Sequence, residues 1–466
     1  MATLTDISTI PLTHLNHIDA LLDKGPDWNY LTGNPDNTIY YTFSSTAALL
    51  ADNDDEISGW SSALTTAQQA YAREAMKYLS AVTGIVFVET PISSKAQVHF
   101  ANADIIDPRV TAECAWEASY WYTPDNVITK YDADAIVYLD NKEWGAENAD
   151  LMPGGAGYET LLHELGHMLG LKHPFSGDIV LPDDLDDTSY TLMSYTSDGY
   201  NHAEYSEYDI AALNWLYGRD GLRGEMGVNS AGGIWLQGDA ASNLLTGGQR
   251  VDVLLGGAGN DVLRAFAGDD VLQGSTGDDT MDGGAGLDSV IFGGDRDEYV
   301  IAQDGHVAVV TDLLEWDGLD TLVDVERLVF LDKMVALDID GVAGAAYRLY
   351  QAAFDRVPDQ EGLGYWIDAL DRGTSMQTVA AGFMGSPEFA RLYGSNSPDN
   401  VSFVSHLYQN VLHRAPERSG FDFWTTALNN GVSKAEVLTG FSESAENKAA
   451  LIGVIGDGFD YIAYTG

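Results

Sequence analysis

Apolar residues recur at helical spacing from Ala67 to Val82 (AQQAYAREAMKYLSAV), which predicts an amphipathic helix. The runs Gly84-Ile-Val-Phe-Val-Glu-Thr, Gln97-Val-His-Phe and Ala135-Ile-Val-Tyr-Leu read as strands. Tyr158 to Leu171 predicts a second helix. Gly170 is placed to end it, because glycine accepts the left-handed backbone of a helix C-terminus. These elements predict an α/β or α+β domain over residues 26–220. A short polar leader, a candidate propeptide, precedes it over residues 1–25.

Beyond Gly247 the pattern changes from helical spacing to a period of nine. Five frames follow in register: GGQRVDVLL, GGAGNDVLR, AFAGDDVLQ, GSTGDDTMD and GGAGLDSVI. Their sixth residues are Asp252, Asp261, Asp270, Asp279 and Asp288. Their eighth are Leu254, Leu263, Leu272, Met281 and Val290. A flexible Gly/Asp-rich linker would not hold an aspartate and an apolar residue in phase for five frames. Six residues of each frame predict a turn and three a short strand, with the apolar residue pointing inward. Gly256, Gly257, Gly259, Gly268, Gly274, Gly277, Gly283, Gly284 and Gly286 supply the turns and expose carbonyl oxygens. Carbonyls and aspartates together suit Ca²⁺, a hard cation that takes 6–8 oxygens. The pattern resembles the parallel β-roll of RTX proteins. Some frames are degenerate: Ala265, Phe266 and Ser275 replace glycines, and Arg250 takes a fourth position. Fewer calcium ions than frames are therefore expected.

Short strands at Tyr299-Val-Ile, Val307-Ala-Val-Val and Leu328-Val-Phe-Leu are expected to close the stack, giving a second domain over 221–340. A second repeat follows, offset by 58. Tyr350, Arg356, Pro358, Gly362, Trp366 and Leu370 recur as Tyr408, Arg414, Pro416, Gly420, Trp424 and Leu428. Val404, Leu407, Tyr408, Val411 and Leu412 lie on one helical face. Residues 341–466 are thus expected to be an all-α duplicated domain, with Trp366 and Trp424 in its cores. Its R-x-P-[DE]-x-x-G-x-x-[YF]-W core resembles a helical domain of unknown function that accompanies secreted and surface bacterial proteins. The fold class expected is multidomain: α+β, then β-roll, then all-α.

Charge sharpens the calcium reading. The chain has 71 acidic and 23 basic residues, a formal net of −48. Such a surface repels phosphate backbones, so no nucleic-acid partner is expected. The single cysteine, Cys114, cannot form an intramolecular disulfide and reads as a small buried hydrophobe. The first residues lack a basic region followed by an apolar stretch, so they do not read as a secretory signal. No run of about 18 apolar residues predicts a membrane span.

The densest chemistry lies in His163-Glu-Leu-Gly-His-Met-Leu-Gly-Leu-Lys-His173. At 3.6 residues per turn, His163 and His167 share one helix face, so their imidazoles can meet one ion. Gly170 lets the chain turn and return His173 as a third ligand. Three ligands leave a fourth tetrahedral position for water, the arrangement of catalytic Zn²⁺. Glu164, beside the first ligand, is then the candidate general base. Leu192-Met-Ser-Tyr195 supplies a methionine turn.

The motif with Pro174 after its third histidine looks like a metzincin, and resembles the serralysin subfamily. The stretches Asp187–Tyr195 and Tyr208–Gly218 are similar to that family's methionine turn and closing helix. The resemblance covers residues 26–340. It implies a secreted zinc endopeptidase acting on protein or peptide substrates. Tyr195 would be a switchable extra zinc ligand that also stabilises the oxyanion. It further implies Ca²⁺ in the roll and export by a type I secretion apparatus. The alternative is a calcium-dependent cell-surface or adhesion protein whose protease domain is inactive.

Overall fold

A computed structural model describes residues 2–44, 57–222, 227–229 and 231–465. The chain divides into two compact units, Met1–Leu255 and Gly256–Gly466.

The first unit is built on a mixed sheet. Its strands are β1 (Thr38–Thr42), β2 (Ile57–Ser62), β3 (Val86–Glu89), β4 (Val98–Ile105), β5 (Ala112–Tyr122) and β6 (Ile128–Asp140). They run in the order β3-β1-β4-β6-β5, with β2 paired to β4. The pairs β1–β3, β1–β4 and β4–β6 are parallel, while the long β5 closes one edge antiparallel to β6. Helix α1 (Thr66–Thr83) starts on a capping box between Thr65 and Gln68 and ends on left-handed Gly84. The expected helix and three strands therefore exist within a few residues of their sequence bounds. Strands β1, β2 and β5 were not anticipated.

Helix α2 (Ala156–Met168) buries Leu161, Leu162, Leu165 and Met168 completely. Helix α3 (Glu207–Tyr217) is almost wholly buried. Residues 15–22, at the end of the segment read as a polar leader, pack inside this unit. Ile18, Ala20 and Leu21 are wholly buried, and Leu22 bridges to Leu171 beside the histidine motif. Short strands β7 (Trp235–Gln237), β8 (Leu244–Thr246) and β9 (Val253–Ala258) follow, with β7 parallel to β9.

The second unit carries the rest of the repeats and the helical tail. Strands β10 (Val262–Arg264), β11 (Val271–Thr276), β12 (Thr280–Asp282) and β13 (Ser289–Ile291) alternate between two sheets. β10 lies parallel to β12, and β11 to β13. Leu263, Leu272, Met281 and Val290, the apolar eighth residues, are all fully buried. A hairpin of β14 (Tyr299–Asp304) and β15 (Val307–Asp312) follows, then β16 (Leu319–Val323), β17 (Arg327–Val329) and β18 (Met334–Ala336). This strand-rich region gives way to helices.

The tail consists of two sets of four helices. The first are α4 (Val342–Phe354), α5 (Gln360–Asp371), α6 (Met376–Met384) and α7 (Pro387–Tyr393). The second are α8 (Asn400–Asn410), α9 (Arg418–Asn429), α10 (Lys434–Ser442) and α11 (Ala445–Ile455). Each helix of the second set starts 58 residues after its counterpart, from Val342 to Asn400 and onward to Ala445, so the sequence repeat is a structural one. Trp366 and Trp424 are partly buried and pack on the tail's core beside Phe383 and Phe441. Ion pairs Arg356–Glu388 and Arg414–Glu446 repeat with the same offset.

Candidate metal centres

The three histidines of the motif converge. His163 Nε2 and His167 Nε2 lie 3.2 and 3.1 Å from His173 Nε2. Gly170, at φ +94°, makes the turn that brings His173 back, and Leu171 N–H closes it on the Gly166 carbonyl. Two carbonyls orient the rings: His163 Nδ1 lies 2.6 Å from Leu192 O, and His167 Nδ1 lies 2.8 Å from Leu171 O. A carbonyl can only accept, so each Nδ1 carries the proton and each Nε2 offers its lone pair inward. Burial lowers the pKa of all three rings, to about 3 for His163 and about 4 for His173. Three imidazoles with converging Nε2 atoms fit a divalent cation.

The methionine turn lies under the helix. A Cβ on Gly166 would meet Met193 Sδ at 2.5 Å, so the close approach of turn and helix requires glycine. Asp209 holds the turn. This fully buried carboxylate accepts from Thr191 Oγ1 at 2.6 Å, from Leu192 N–H at 2.8 Å and from Ser206 N–H at 3.0 Å. Leu192 is the residue whose carbonyl orients His163, so Asp209 acts on that ring through two hydrogen bonds. Sequence reasoning missed it. The capping box Ser206-x-x-Asp209 at the start of α3 was the available signal. Trp28 Nε1 and Tyr217 Oη cap the last carbonyls of the motif helix, Met168 O and Leu169 O, at 2.6 Å each.

Glu164 is 6% exposed, beside β5. Burial, and secondarily the Glu113 carboxylate, push its pKa up to about 8, against the backbone N–H of Cys114 that bonds it. Burial also pushes the Cys114 thiol up. Tyr195 lies over the cluster with its ring centroid 4.5 Å from that of His173, and is largely exposed. An open cleft of about 600 Å³ is lined by Ala112, Thr160, His163, Glu164, Leu192 and Tyr195, among others.

A second acidic group, Asp104, Asp140 and Glu143, is already satisfied. Asp140 accepts from the N–H groups of Ile105, Lys142 and Trp144, and Lys142 Nζ lies 3.2 Å from Asp104.

In the repeats, Asp252, Asp261, Asp270, Asp279 and Asp288 are all at most 1% exposed. They form ladders: Asp261 N–H donates to Asp279 Oδ1 at 2.7 Å, and Asp270 N–H to Asp288 Oδ1 at 2.8 Å. Asp279 Oδ2 and Asp288 Oδ2 are buried without a hydrogen-bond partner among the described residues. Burial, with Asp270, Glu326 and Asp269 nearby, pushes Asp288 up to about 7. Stacked buried carboxylates with unused oxygens fit a hard cation. The degenerate frames keep the turn at a cost: Phe266 and Ser275 sit at φ +73° and +71°, where glycine stands in other frames. Gly277 is required outright, since a Cβ there would lie 1.8 Å from Gly259 O.

The chain is similar to known metalloproteases and carries a match to calcium-binding repeats. The chain is 28% identical over 218 residues to metallopeptidase AprA of Pseudomonas marginalis, covering 42% of this chain and 43% of that one. It is 30% identical over 177 residues to serralysin of Photorhabdus laumondii, covering 34% of each. Serralysin G of Dickeya chrysanthemi is 27% identical over 196 residues, covering 36% and 37%. The chain is serralysin-like. It spans roughly two fifths or less of the length of these curated relatives. Residues 237–265 and 264–299 match the RTX calcium-binding nonapeptide repeat. Residues 346–393 and 380–451 match a domain of unknown function, DUF4214. The chain is thus multidomain, with a strand-rich RTX region and a helical C-terminal region. The RTX match begins before the five frames counted from Gly247, because Asn243 stands in the aspartate position of an earlier turn.

Proposed function

We propose that this protein is a secreted, calcium-stabilised zinc endopeptidase with a metzincin catalytic domain over residues 26–220. The domain bounds 221–340 and 341–466 for the roll and the helical pair belong to the same reading. The convergence of His163, His167 and His173 beside a buried Glu164 is the observation that carries it.

Zinc held by those imidazoles supplies a Lewis acid that polarises a peptide carbonyl and acidifies water. The chain's own groups do the rest. Glu164 takes a proton from the attacking water and delivers it to the leaving amine, for which a carboxylate shielded from solvent in a cleft is suited. Cys114 N–H orients that carboxylate. Tyr195, over the ligands and at the cleft mouth, is the group to offer a hydroxyl to the oxyanion. Leu192 O and Leu171 O keep the imidazoles in the ligating tautomer, and Asp209 keeps Leu192 in place.

In the roll, Ca²⁺ would be held by Asp252, Asp261, Asp270, Asp279 and Asp288 with the turn carbonyls. Binding would fold a segment that its own carboxylates otherwise push apart. Such a segment stays unfolded where calcium is scarce and folds outside the cell, which suits export by a type I apparatus. No helix among the described residues is long and apolar enough to cross a membrane.

Hydrolysis of casein by the calcium-loaded chain, its loss on treatment with a zinc chelator and its return on adding zinc test the proposal. An inert, zinc-free chain would favour a calcium-dependent surface protein with a vestigial protease domain.

A further inference from the structure

A separate cavity of about 320 Å³ opens on the sheet of the first unit and shares no residue with the cleft at the histidines. Its floor follows from strand register. β4 and β6 pair His99 with Ile136, while β5 and β6 pair Ala115 with Ile136 and Glu117 with Asp134. Side chains alternate along a strand, so these five residues share one face. Trp116, Tyr138 and Ser93, the last at the start of the short helical turn Ser93–Lys95, add to the walls.

Two polar groups in these walls are buried and unsatisfied. His99 is 1% exposed. Its Nδ1 is buried with no hydrogen-bond partner among the described residues. Its Nε2 stands 4.0 Å from Asp134 Oδ1, beyond hydrogen-bond reach. Ser93 Oγ is likewise buried without a partner among the described residues. Such groups are costly unless something from outside the chain meets them. Charge says what that is. Burial, opposed by the Ala96 carbonyl, holds the His99 ring toward its neutral form. Burial, and then the Glu117 and Asp132 carboxylates, push Asp134 up to about 6. A neutral ring thus adjoins crowded carboxylates, and a cation would relieve them.

We propose that this cavity binds a small aliphatic amine, its ammonium group between Asp134 and His99 and its apolar stem along Ala115 and Ile136. The width of the gap decides between an ammonium and a metal ion. Zinc bonded to both groups at ~2.1 Å would have to lie almost on the line between atoms 4.0 Å apart, far from a tetrahedral angle. An ammonium hydrogen-bonded to both at ~2.9 Å spans the same gap with a bent approach. It brings three donors and no acceptor. The Asp134 carboxylate, the lone-pair nitrogen of a neutral His99 and the Ser93 hydroxyl are all able to accept. Trp116 and Tyr138 add aromatic rings, which attract an organic cation. An anion would meet like charge at Asp134 and Glu117. The cavity is at the small end of the ~300–1,000 Å³ range of ligand sites, as a small amine requires.

Cadaverine, a straight-chain diamine, is the probe. Titrated calorimetrically into the full-length, calcium-loaded chain, it should bind saturably at one site per chain. Pentanol, with the same stem and no charge, should not bind. Asp134→Asn keeps the shape of the side chain and removes its charge. It should weaken cadaverine binding by about tenfold or more, the loss expected for a charge-assisted hydrogen bond. Asp125→Asn, at an exposed acid between β5 and β6, should leave binding unchanged. That control separates the cavity from the general pull of a chain with a net charge of −48. His173→Ala should also bind cadaverine as the wild type does, which sets this site apart from the histidine cluster. A lysine side chain carries the same ammonium on a peptide, and Nα-acetyl-lysine amide should bind more weakly than cadaverine. Tighter binding of the lysine amide overturns the assignment to a free amine. Uptake that never saturates, or equal affinity in Asp134→Asn, overturns the site altogether. Should Asp134→Asn not fold, Glu117→Gln on the exposed rim should weaken binding several-fold, and wild-type affinity there overturns the site as well.

Discussion

The histidine cluster and the aspartate ladders are both candidate metal centres, but they stand in opposite relation to the fold. Burial disfavours the charged form of all three imidazoles, and hydrogen bonds from the Nδ1 atoms of His163 and His167 to Leu192 O and Leu171 O aim two of them. Helix α2, the turn at Gly170 and the Met193 loop fixed by Asp209 position that site. The ladders stack like charges in buried positions, with oxygens left over on Asp279 and Asp288. Their glycine turns permit the stack, and their electrostatics oppose it. In one region the fold makes the site. In the other, as proposed above, the ion would complete the fold.

That contrast can be broken at several points. The largest effect expected is on catalysis without collapse. His173→Ala should reduce casein hydrolysis to background while far-UV circular dichroism stays unchanged, since the ring contributes lone pairs more than packing. Next comes calcium removal. A site saturated a hundredfold above its Kd contributes about 2.7 kcal/mol. Stripping several sites should therefore abolish the strand signal of the roll and lower its melting temperature steeply in chelator. Equal spectra with and without calcium would erase the contrast. Gly277→Ala should destabilise the calcium-loaded roll by roughly 3 kcal/mol, through a left-handed backbone and a carbonyl at 1.8 Å. The smallest effect has the opposite sign. Ser275→Gly should stabilise the same region by about 1 kcal/mol in thermal unfolding, because it relieves a left-handed L-residue.

The two regions also differ in how far the sequence revealed them. The roll's aspartates and apolar residues were legible because a fixed period leaves every frame as a copy of the last. The histidine cluster was legible because a helix fixes the spacing of His163 and His167, and Gly170 announces the turn. Strand β5, whose Cys114 N–H meets Glu164, escaped notice. Its edge position leaves both faces partly exposed, so AECAWEASYWY shows no clean alternation. Asp209 acts through Leu192 across a loop, and local patterning reports its cap but not its reach. Residues 15–22 read as leader because their apolar run is short, although Ile18 and Leu21 are wholly buried.

The central claim is that three histidines hold zinc while a neighbouring carboxylate moves the proton. Zinc content and casein hydrolysis measured on one preparation of Glu164→Gln test it most directly. One zinc per chain with hydrolysis reduced by about 10²-fold or more is the result expected from loss of a general base. Wild-type rates in that variant, or a wild-type chain that takes up no zinc, would contradict the account.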